Sequence, residues 1–261
     1  MSTNTVLTDF AAALLSGSIK IVDLTAPLGP NTPVLFLPPQ IGKNTPAVKV
    51  HEISHYDQNG PFWAWSWLEL GEHTGTHFDA PVHWITGKGG EDVAQVPAAK
   101  LIAPAAVLDF SGESAKDPDF LLQVDHVRAW EAEHGPLPGG GWLLYRTGWD
   151  ARSEDADAFL NANETGPHTP GISVECAKWL AEEAPIQGVG VETVGTDAGL
   201  AHSFDPPFPC HTFLLGNDKY GLTQLRNLAA LPPTGAVVVA GPLPIVGGSG
   251  SPVRVLALVE R

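Results

Sequence analysis

The chain has little that would support a disulfide scaffold, nucleic-acid binding or membrane insertion. Only two of its 261 residues are cysteines, too few for a disulfide framework at this length. Basic residues are also scarce: 14 Lys and Arg stand against 29 Asp and Glu, a formal net charge of −15. Such a charge repels phosphate backbones and anionic lipids, which argues against nucleic-acid and membrane partners.

What remains is the composition of a buried globular core. Hydrophobic residues make up 43% and charged residues 16% of the chain. No apolar run approaches the roughly 20 residues of a membrane span. The amino-terminal segment has no basic region and is interrupted by Asp9, which is not typical of a secretory signal. We therefore predict a cytoplasmic protein with one domain over residues 1–261.

Residue patterns predict more strands than helices. Short β-branched or aromatic runs predict strands at Ile19–Leu24, Ala47–Ile53, Trp63–Leu70, Ala105–Asp109, Trp142–Arg146, Gly188–Val194, Ala236–Ala240 and Val253–Val259. Helical spacing of apolar residues predicts helices at Leu7–Leu15, Val124–Glu133 and Val174–Glu183, the last with Ser173 as N-cap. The elements do not alternate strictly, which predicts a mixed α/β fold with a barrel-like β core and flanking helices.

One short loop concentrates residues that bind metals. His73, His77, Asp79 and His83 lie within eleven residues, and imidazole with carboxylate suits a divalent first-row ion. A turn near Gly75 would fold His73 back toward His77, and an extended stretch would project His77 and Asp79 to one side. We predict that His73, His77 and Asp79 bind the metal and that His83 is a nearby acid or base. The alternative is a surface loop whose histidines cap turns.

Other catalytic motifs are poorly supported. His51 to His55 matches the H-E-x-x-H pattern of zinc peptidases, but the flanking alternation predicts a strand, in which residues four apart lie about 13 Å from each other. Cys210 and His211 are adjacent, and in an extended stretch they would point to opposite faces, which argues against a Cys–His dyad. No nucleophile elbow, P-loop or dinucleotide fingerprint occurs. We predict that both cysteines are buried structural residues.

An aromatic run precedes the histidine loop. Phe62, Trp63, Trp65 and Trp67 lie within six residues, and Trp84 follows the loop. Two interpretations remain open: a bulky layer of the core, or a flat apolar wall for a planar aromatic substrate.

Residues 73–83 read H-T-G-T-H-F-D-A-P-V-H. They resemble the H-x-G-T-H-x-D-x-P-x-H signature of the cyclase family of metal-dependent hydrolases, which includes bacterial kynurenine formamidase. Further matches to that family occur in order at Ile21–Thr25, Gly195–Asp197, His211–Leu215 and Asn227–Pro232. The resemblance therefore extends over nearly the whole chain.

Within that family the chain is most similar to the isatin-hydrolase branch. The resemblance implies a barrel-like α/β fold, assembly as a homodimer or higher homo-oligomer, and hydrolytic opening of the lactam ring of isatin to isatinate. It implies a manganese ion, with zinc as a possible substitute, held by His73, His77 and Asp79. His83 and His211 would assist proton transfer, and a planar isatin-like substrate would contact Phe62, Trp63, Trp65, Trp84 and Gln224.

One position departs from the pattern of the two-metal formamidases. Their second metal is bound by a glutamate twelve residues after the later histidine, and this chain has Thr223 there, followed by Gln224. A neutral side chain is a poor substitute for that carboxylate, so we predict one metal per chain. Kynurenine formamidase activity and a metal-stabilised aromatic-ligand carrier without turnover are the two alternatives.

Overall fold

A closed seven-stranded β-barrel forms the centre of the molecule. The computed structural model describes residues 5–35 and 42–261. The barrel strands lie in the order β14-β13-β5-β7-β11-β12-β4, and pairing of β4 with β14 closes the ring. β1 pairs with the outer edge of β14.

These labels follow chain order: β1 Ile19–Asp23, β2 Lys49–Asp57, β3 Gly60–Glu69, β4 His77–Asp79, β5 Ile102–Asp109, β6 Leu121–Leu122, β7 Trp142–Arg146, β8 Ala162–Asn163, β9 Gly166–Pro167, β10 Gly171–Ile172, β11 Gly188–Val191, β12 Tyr220–Thr223, β13 Ala236–Pro242 and β14 Gly250–Glu260.

The described residues form six α-helices besides the strands. They are α1 Val6–Ser16, α2 Ser111–Ser114, α3 Val124–His134, α4 Ala156–Leu160, α5 Val174–Glu182 and α6 Pro209–Leu214. The Ser173 side chain accepts a hydrogen bond from the backbone N–H of Cys176, which confirms the predicted N-cap of α5. None of the helices in the described parts of the chain is long and apolar enough to cross a membrane.

The core has two layers that share the barrel wall. β7 shows why: its Trp142 and Leu144 belong to the cluster inside the barrel, whereas Leu143 and Tyr145 pack outside, with helix residues such as Leu180 of α5. Because both faces of this strand are covered, it reads as a continuous apolar run and not as an alternating one. The predicted mixed α/β fold with a barrel-like core and flanking helices is confirmed.

The strands β2 and β3 form a separate two-stranded antiparallel hairpin outside the barrel. We call residues 49–69 the arm. The arm joins the barrel at its base, where β3 leads directly into the histidine loop. Its large apolar side chains are exposed in the single chain, including Phe62 at 85% and Trp65 at 57%. The interpretation of the aromatic run as a core layer is therefore wrong.

Candidate metal and substrate site

The histidine loop ends in β4, the three-residue strand that closes the barrel. Gly75 has a φ of +61°, so the chain turns between His73 and His77 as predicted. His77 and Asp79 lie in the extended strand and project to one side, with His77 Nε2 3.4 Å from Asp79 Oδ1. The turn also brings His73 Nδ1 to 2.8 Å from the same carboxylate oxygen.

Glycines on both neighbouring strands make room for the side chains of Asp79 and His73. Asp79 pairs with Gly221 of β12 on one side and with Gly250 of β14 on the other. A Cβ atom on Gly221 would lie 2.7 Å from Asp79 Oδ2, and one on Gly250 would lie 2.6 Å from His73 Cε1. Any larger residue at these two positions would displace a predicted ligand.

The hydrogen bonds of each ring decide which nitrogen faces Asp79. The Gly75 carbonyl lies 2.7 Å from His77 Nδ1, so Nδ1–H donates to it and Nε2 keeps its lone pair. His73 Nε2 faces the Ser249 hydroxyl at 2.8 Å, which leaves His73 Nδ1 toward Asp79. Metal bonds of about 2.1 Å place neighbouring ligand atoms about 3.0–3.4 Å apart. The donor atoms of these three side chains suit a divalent first-row cation, and the distances of the two histidine nitrogens from Asp79 Oδ1 are close to that spacing.

His83 completes the cluster. Its ring stacks on His73 with centroids 3.7 Å apart. Among the described residues, His73, Asp79 and His83 form a group whose potential ligand atoms all lie within 4.8 Å of one another. His77 contacts this group through Asp79. His83 is thus close enough to act on a group bound there or to bind the cation itself.

The site holds a buried charge. Burial alone would raise the pKa of the Asp79 carboxyl, but the neighbouring imidazoles, His77 first and then His73, outweigh burial and hold that pKa well below its usual range. Burial is also the main reason that the pKa of His83 falls to about 3; His73 and His211 lower it further, and Asp79 opposes them. His83 is therefore a neutral imidazole at neutral pH.

His211 lies near His83 and is held by a carboxylate. His211 Nδ1 is 2.5 Å from Asp197 Oδ2, and Asp197 Oδ1 accepts the backbone N–H of Cys210 at 2.7 Å. Burial alone would lower the pKa of His211, but the hydrogen bond and charge of Asp197 raise it above its ordinary value. The rings of His211 and His83 lie 5.4 Å apart. The Asp197–His211 pair resembles the carboxylate–imidazole arrangement that orients catalytic histidines.

Trp84 is the predicted pocket aromatic that reaches this cluster. Its ring lies 4.9 Å from the His211 ring and 5.5 Å from Phe208, and its indole N–H donates to Thr212. Trp84 and Phe208 together form an aromatic edge beside the two histidines.

The other predicted pocket residues lie elsewhere in the single chain. Phe62, Trp63 and Trp65 sit on the arm, where their rings contact one another at 6.4–6.5 Å. Gln224 is buried beside Thr223, and its amide donates to the Pro33 carbonyl at 3.4 Å. Within one chain, the three arm aromatics therefore lie on a hairpin outside the barrel.

Two further sequence interpretations have structural outcomes. The H-E-x-x-H segment is part of β2, and His51 stacks on Trp67 at 3.8 Å, so it is a strand as predicted. Cys210 and His211 lie in α6 and not in an extended stretch, so the reason given against a Cys–His dyad is wrong. Cys176 and Cys210 are nevertheless buried and free, as predicted.

Sequence reasoning missed Asp197 and Ser249 as site residues. Asp197 belongs to the Gly195–Asp197 segment that resembles the family, and an acidic residue in such a turn is a candidate partner for an imidazole. Ser249 lies 176 residues after His73, and no local signal connects the two.

Comparisons with known proteins agree with this architecture. The Cyclase family profile matches residues 22–198, and the chain belongs to that family. Isatin hydrolase from Roseibium aggregatum is 52% identical over 263 residues, covering 100% of both chains. A crystal structure of an isatin hydrolase bound to the product analogue thioisatinate has a TM-score of 0.97 at 52% identity, covering 100% of both chains. Kynurenine formamidase from Salinibacter ruber is 28% identical over 193 residues, covering 72% of this chain and 76% of that protein.

Proposed function

We propose that this protein is a metal-dependent hydrolase that opens the lactam ring of isatin to isatinate. The carrying observation is the convergence of His73 Nδ1 and His77 Nε2 on Asp79 Oδ1, at 2.8 and 3.4 Å. The similarity to isatin hydrolases over the full chain supports the choice of substrate. In the reaction the lactam C–N bond breaks, water supplies OH to the carbonyl carbon, and the aryl nitrogen gains a proton.

The proposed cofactor is one manganese ion per chain, with zinc as a substitute. His73, His77 and Asp79 would hold it. When bound, such a cation polarises a carbonyl and makes water more acidic. Thr223 supports a single ion: its hydroxyl lies 2.8 and 3.1 Å from the two ring nitrogens of His77, where a carboxylate would be needed for a second one.

His83 and His211 divide the proton transfers in this proposal. His83 is neutral because its pKa is about 3, so its ring can accept a hydrogen bond from the attacking water. His211 donates Nδ1–H to Asp197, and its raised pKa favours a protonated ring that can deliver a proton from Nε2. The leaving aryl nitrogen is the group that needs this proton.

We also propose that the protein works as a homodimer or higher homo-oligomer in the cytoplasm, each chain being one hydrolase domain. An isolated two-stranded hairpin is at best marginally stable in water, and the arm exposes Phe62, Trp63 and Trp65 at 85%, 48% and 57%. Strands of this length span about 30 Å, so the tip of the arm cannot fold back onto the loop at its own base. The arm aromatics would therefore contact substrate in the site of a second copy.

The metal proposal is tested by elemental analysis with turnover of isatin. We expect about one manganese or zinc ion per chain in the wild type, and loss of both metal and turnover in His73→Ala and Asp79→Ala. His134→Ala, a histidine of α3 outside the site, serves as the matched control. Full turnover by the two site variants after chelation would refute the proposal.

A rate comparison separates the two enzymatic alternatives. We expect faster turnover of isatin than of N-formylkynurenine, since Thr223 leaves no carboxylate for a second ion. Faster turnover of the formanilide, with two ions per chain, would instead identify a kynurenine formamidase. Metal binding without turnover of either compound would indicate the carrier.

The role of the arm is tested by mixing two inactive variants. His83→Ala inactivates the site, and Trp65→Ala weakens the arm; a mixed dimer would join the intact site of one chain to the intact arm of the other. We expect activity to reappear on mixing. Light scattering of the wild type should give a molar mass of about 55 kDa or a multiple, compared with 27.5 kDa for one chain. Mixed oligomers that stay inactive would contradict the exchange of arms.

A further inference from the structure

Two polar side chains lie behind the His73 ring, on the side away from Asp79. Ser249 immediately precedes β14, and its hydroxyl oxygen is 2.8 Å from His73 Nε2. The same hydroxyl lies 2.7 Å from Glu72 Oε2, and the Ser249 backbone N–H donates to that oxygen at 3.0 Å. Glu72 therefore accepts both hydrogen-bond donors of Ser249 through one carboxylate oxygen.

The direction of these hydrogen bonds fixes the protonation of the His73 ring. A carboxylate only accepts, so the single hydroxyl proton of Ser249 goes to Glu72. The Ser249 oxygen then faces the ring with a lone pair, and His73 Nε2 must carry the proton that is shared with it. In the neutral ring this leaves His73 Nδ1 with its lone pair, 2.8 Å from Asp79 Oδ1. Two acceptor atoms at this distance repel each other unless a proton or a metal cation lies between them.

The backbone around Ser249 is built to the shape of the ring. A Cβ atom on the next residue, Gly250, would lie 2.6 Å from His73 Cε1 and 2.4 Å from the Phe78 carbonyl. The start of β14 therefore fits directly against the edge of the imidazole. This close fit restricts the ring to the orientation in which Nε2 meets Ser249.

We propose that Ser249, oriented by Glu72, is a positioning residue that fixes His73 as the Nε2–H tautomer and thereby presents Nδ1 to the metal. This inference rests on the proposed metal-dependent function. Hydrogen-bond partners of this kind fix the tautomer of metal-binding histidines, and their loss typically weakens metal binding by about 10–100-fold.

The test compares serine variants by two measurements, NMR of nitrogen-15-labelled histidine in the metal-free protein and manganese titration. Wild type is expected to show the proton of His73 on Nε2. Ser249→Ala is expected to lose this preference and to bind manganese about 10–100-fold more weakly. Ser249→Thr keeps the hydroxyl and should restore both properties. Ser251→Ala is the control, two residues after Ser249. It removes a hydroxyl that accepts the Leu243 backbone N–H, and it should leave both properties within twofold of wild type.

The possible failures can be told apart. If wild type binds manganese and folded Ser249→Ala shows the same tautomer and an affinity within twofold, the positioning role is refuted while the metal-dependent function stands. If wild type binds no manganese, zinc or iron, the proposed function fails, and the inference falls with it. A neutral His73 ring with its proton on Nδ1 in the wild type would refute the inference directly.

Discussion

Glu192 is expected to make the stability of this protein fall as the pH rises. Its carboxyl lies at the end of β11 and is buried. Burial, with a smaller contribution from the charge of Asp150, raises the pKa of Glu192 to about 7. Hydrogen bonds from the backbone N–H groups of Thr147 and Gly148 lower that pKa but do not outweigh burial. Those two N–H groups and that of Trp149 all donate to Oε2, at 2.8, 2.6 and 3.2 Å. Oε1 is buried and has no hydrogen-bond partner among the described residues.

The magnitude follows from the difference in pKa between the unfolded and folded chains. The Glu192 carboxyl has a pKa of 4.5 in the unfolded chain and about 7 in the folded chain, so its contribution to the free energy of unfolding is fully present below pH 4.5. That contribution is lost as the pH rises through 7, because the unfolded chain ionises first. At about 1.4 kcal/mol per pH unit, the total loss is about 3 kcal/mol, most of it between about pH 5 and pH 8.

Urea unfolding of metal-free wild type and Glu192→Gln across this pH range measures the effect. The glutamine does not titrate, so the variant should gain about 2–3 kcal/mol relative to wild type between pH 5 and pH 8. Glu182→Gln, at an exposed position on α5, is the matched control and should follow wild type. Parallel curves for Glu192→Gln and wild type would show that the Glu192 carboxyl titrates as in water.

The other predictions concern the site. Asp197→Asn should lower kcat for isatin about 10–100-fold and move the pH profile, because His211 loses the carboxylate that orients its ring; an unchanged profile would contradict this. Gly221→Ala should weaken manganese binding at least tenfold, because its Cβ would lie 2.7 Å from the Asp79 carboxylate. Gly241→Ala, with open space around its Cβ, should bind as wild type does. Removing the metal should lower Tm, and adding manganese at 100 times its Kd should restore about 2.7 kcal/mol; a Tm that does not respond would argue against binding to the folded state.

Strong local patterns predicted most of the fold. β7 was predicted with both bounds correct, since Trp142–Arg146 is a compact apolar run between turn residues. β4 and β12 were missed because they are short and rich in glycine or polar residues, and they are strands only through their pairing with each other and with the neighbouring β14 and β11. The helix α6 was missed for a similar reason: six residues that begin with Pro209 carry too little periodicity.

The amino-acid sequence by itself determined the class of chemistry, because His73, His77, Asp79 and His83 lie in one short loop and a turn at Gly75 suffices to gather them. Only the tertiary structure decided what surrounds that loop. Ser249 reaches His73 because pairing of β4 with β14 closes the barrel, and barrel closure is a property of strand pairing that no local pattern encodes. Asp197 reaches His211 because the connection between β11 and β12 folds back on itself. The same holds for the arm: its aromatic run predicted either a core layer or a pocket wall, but only the fold shows that those rings are exposed on a hairpin outside the barrel.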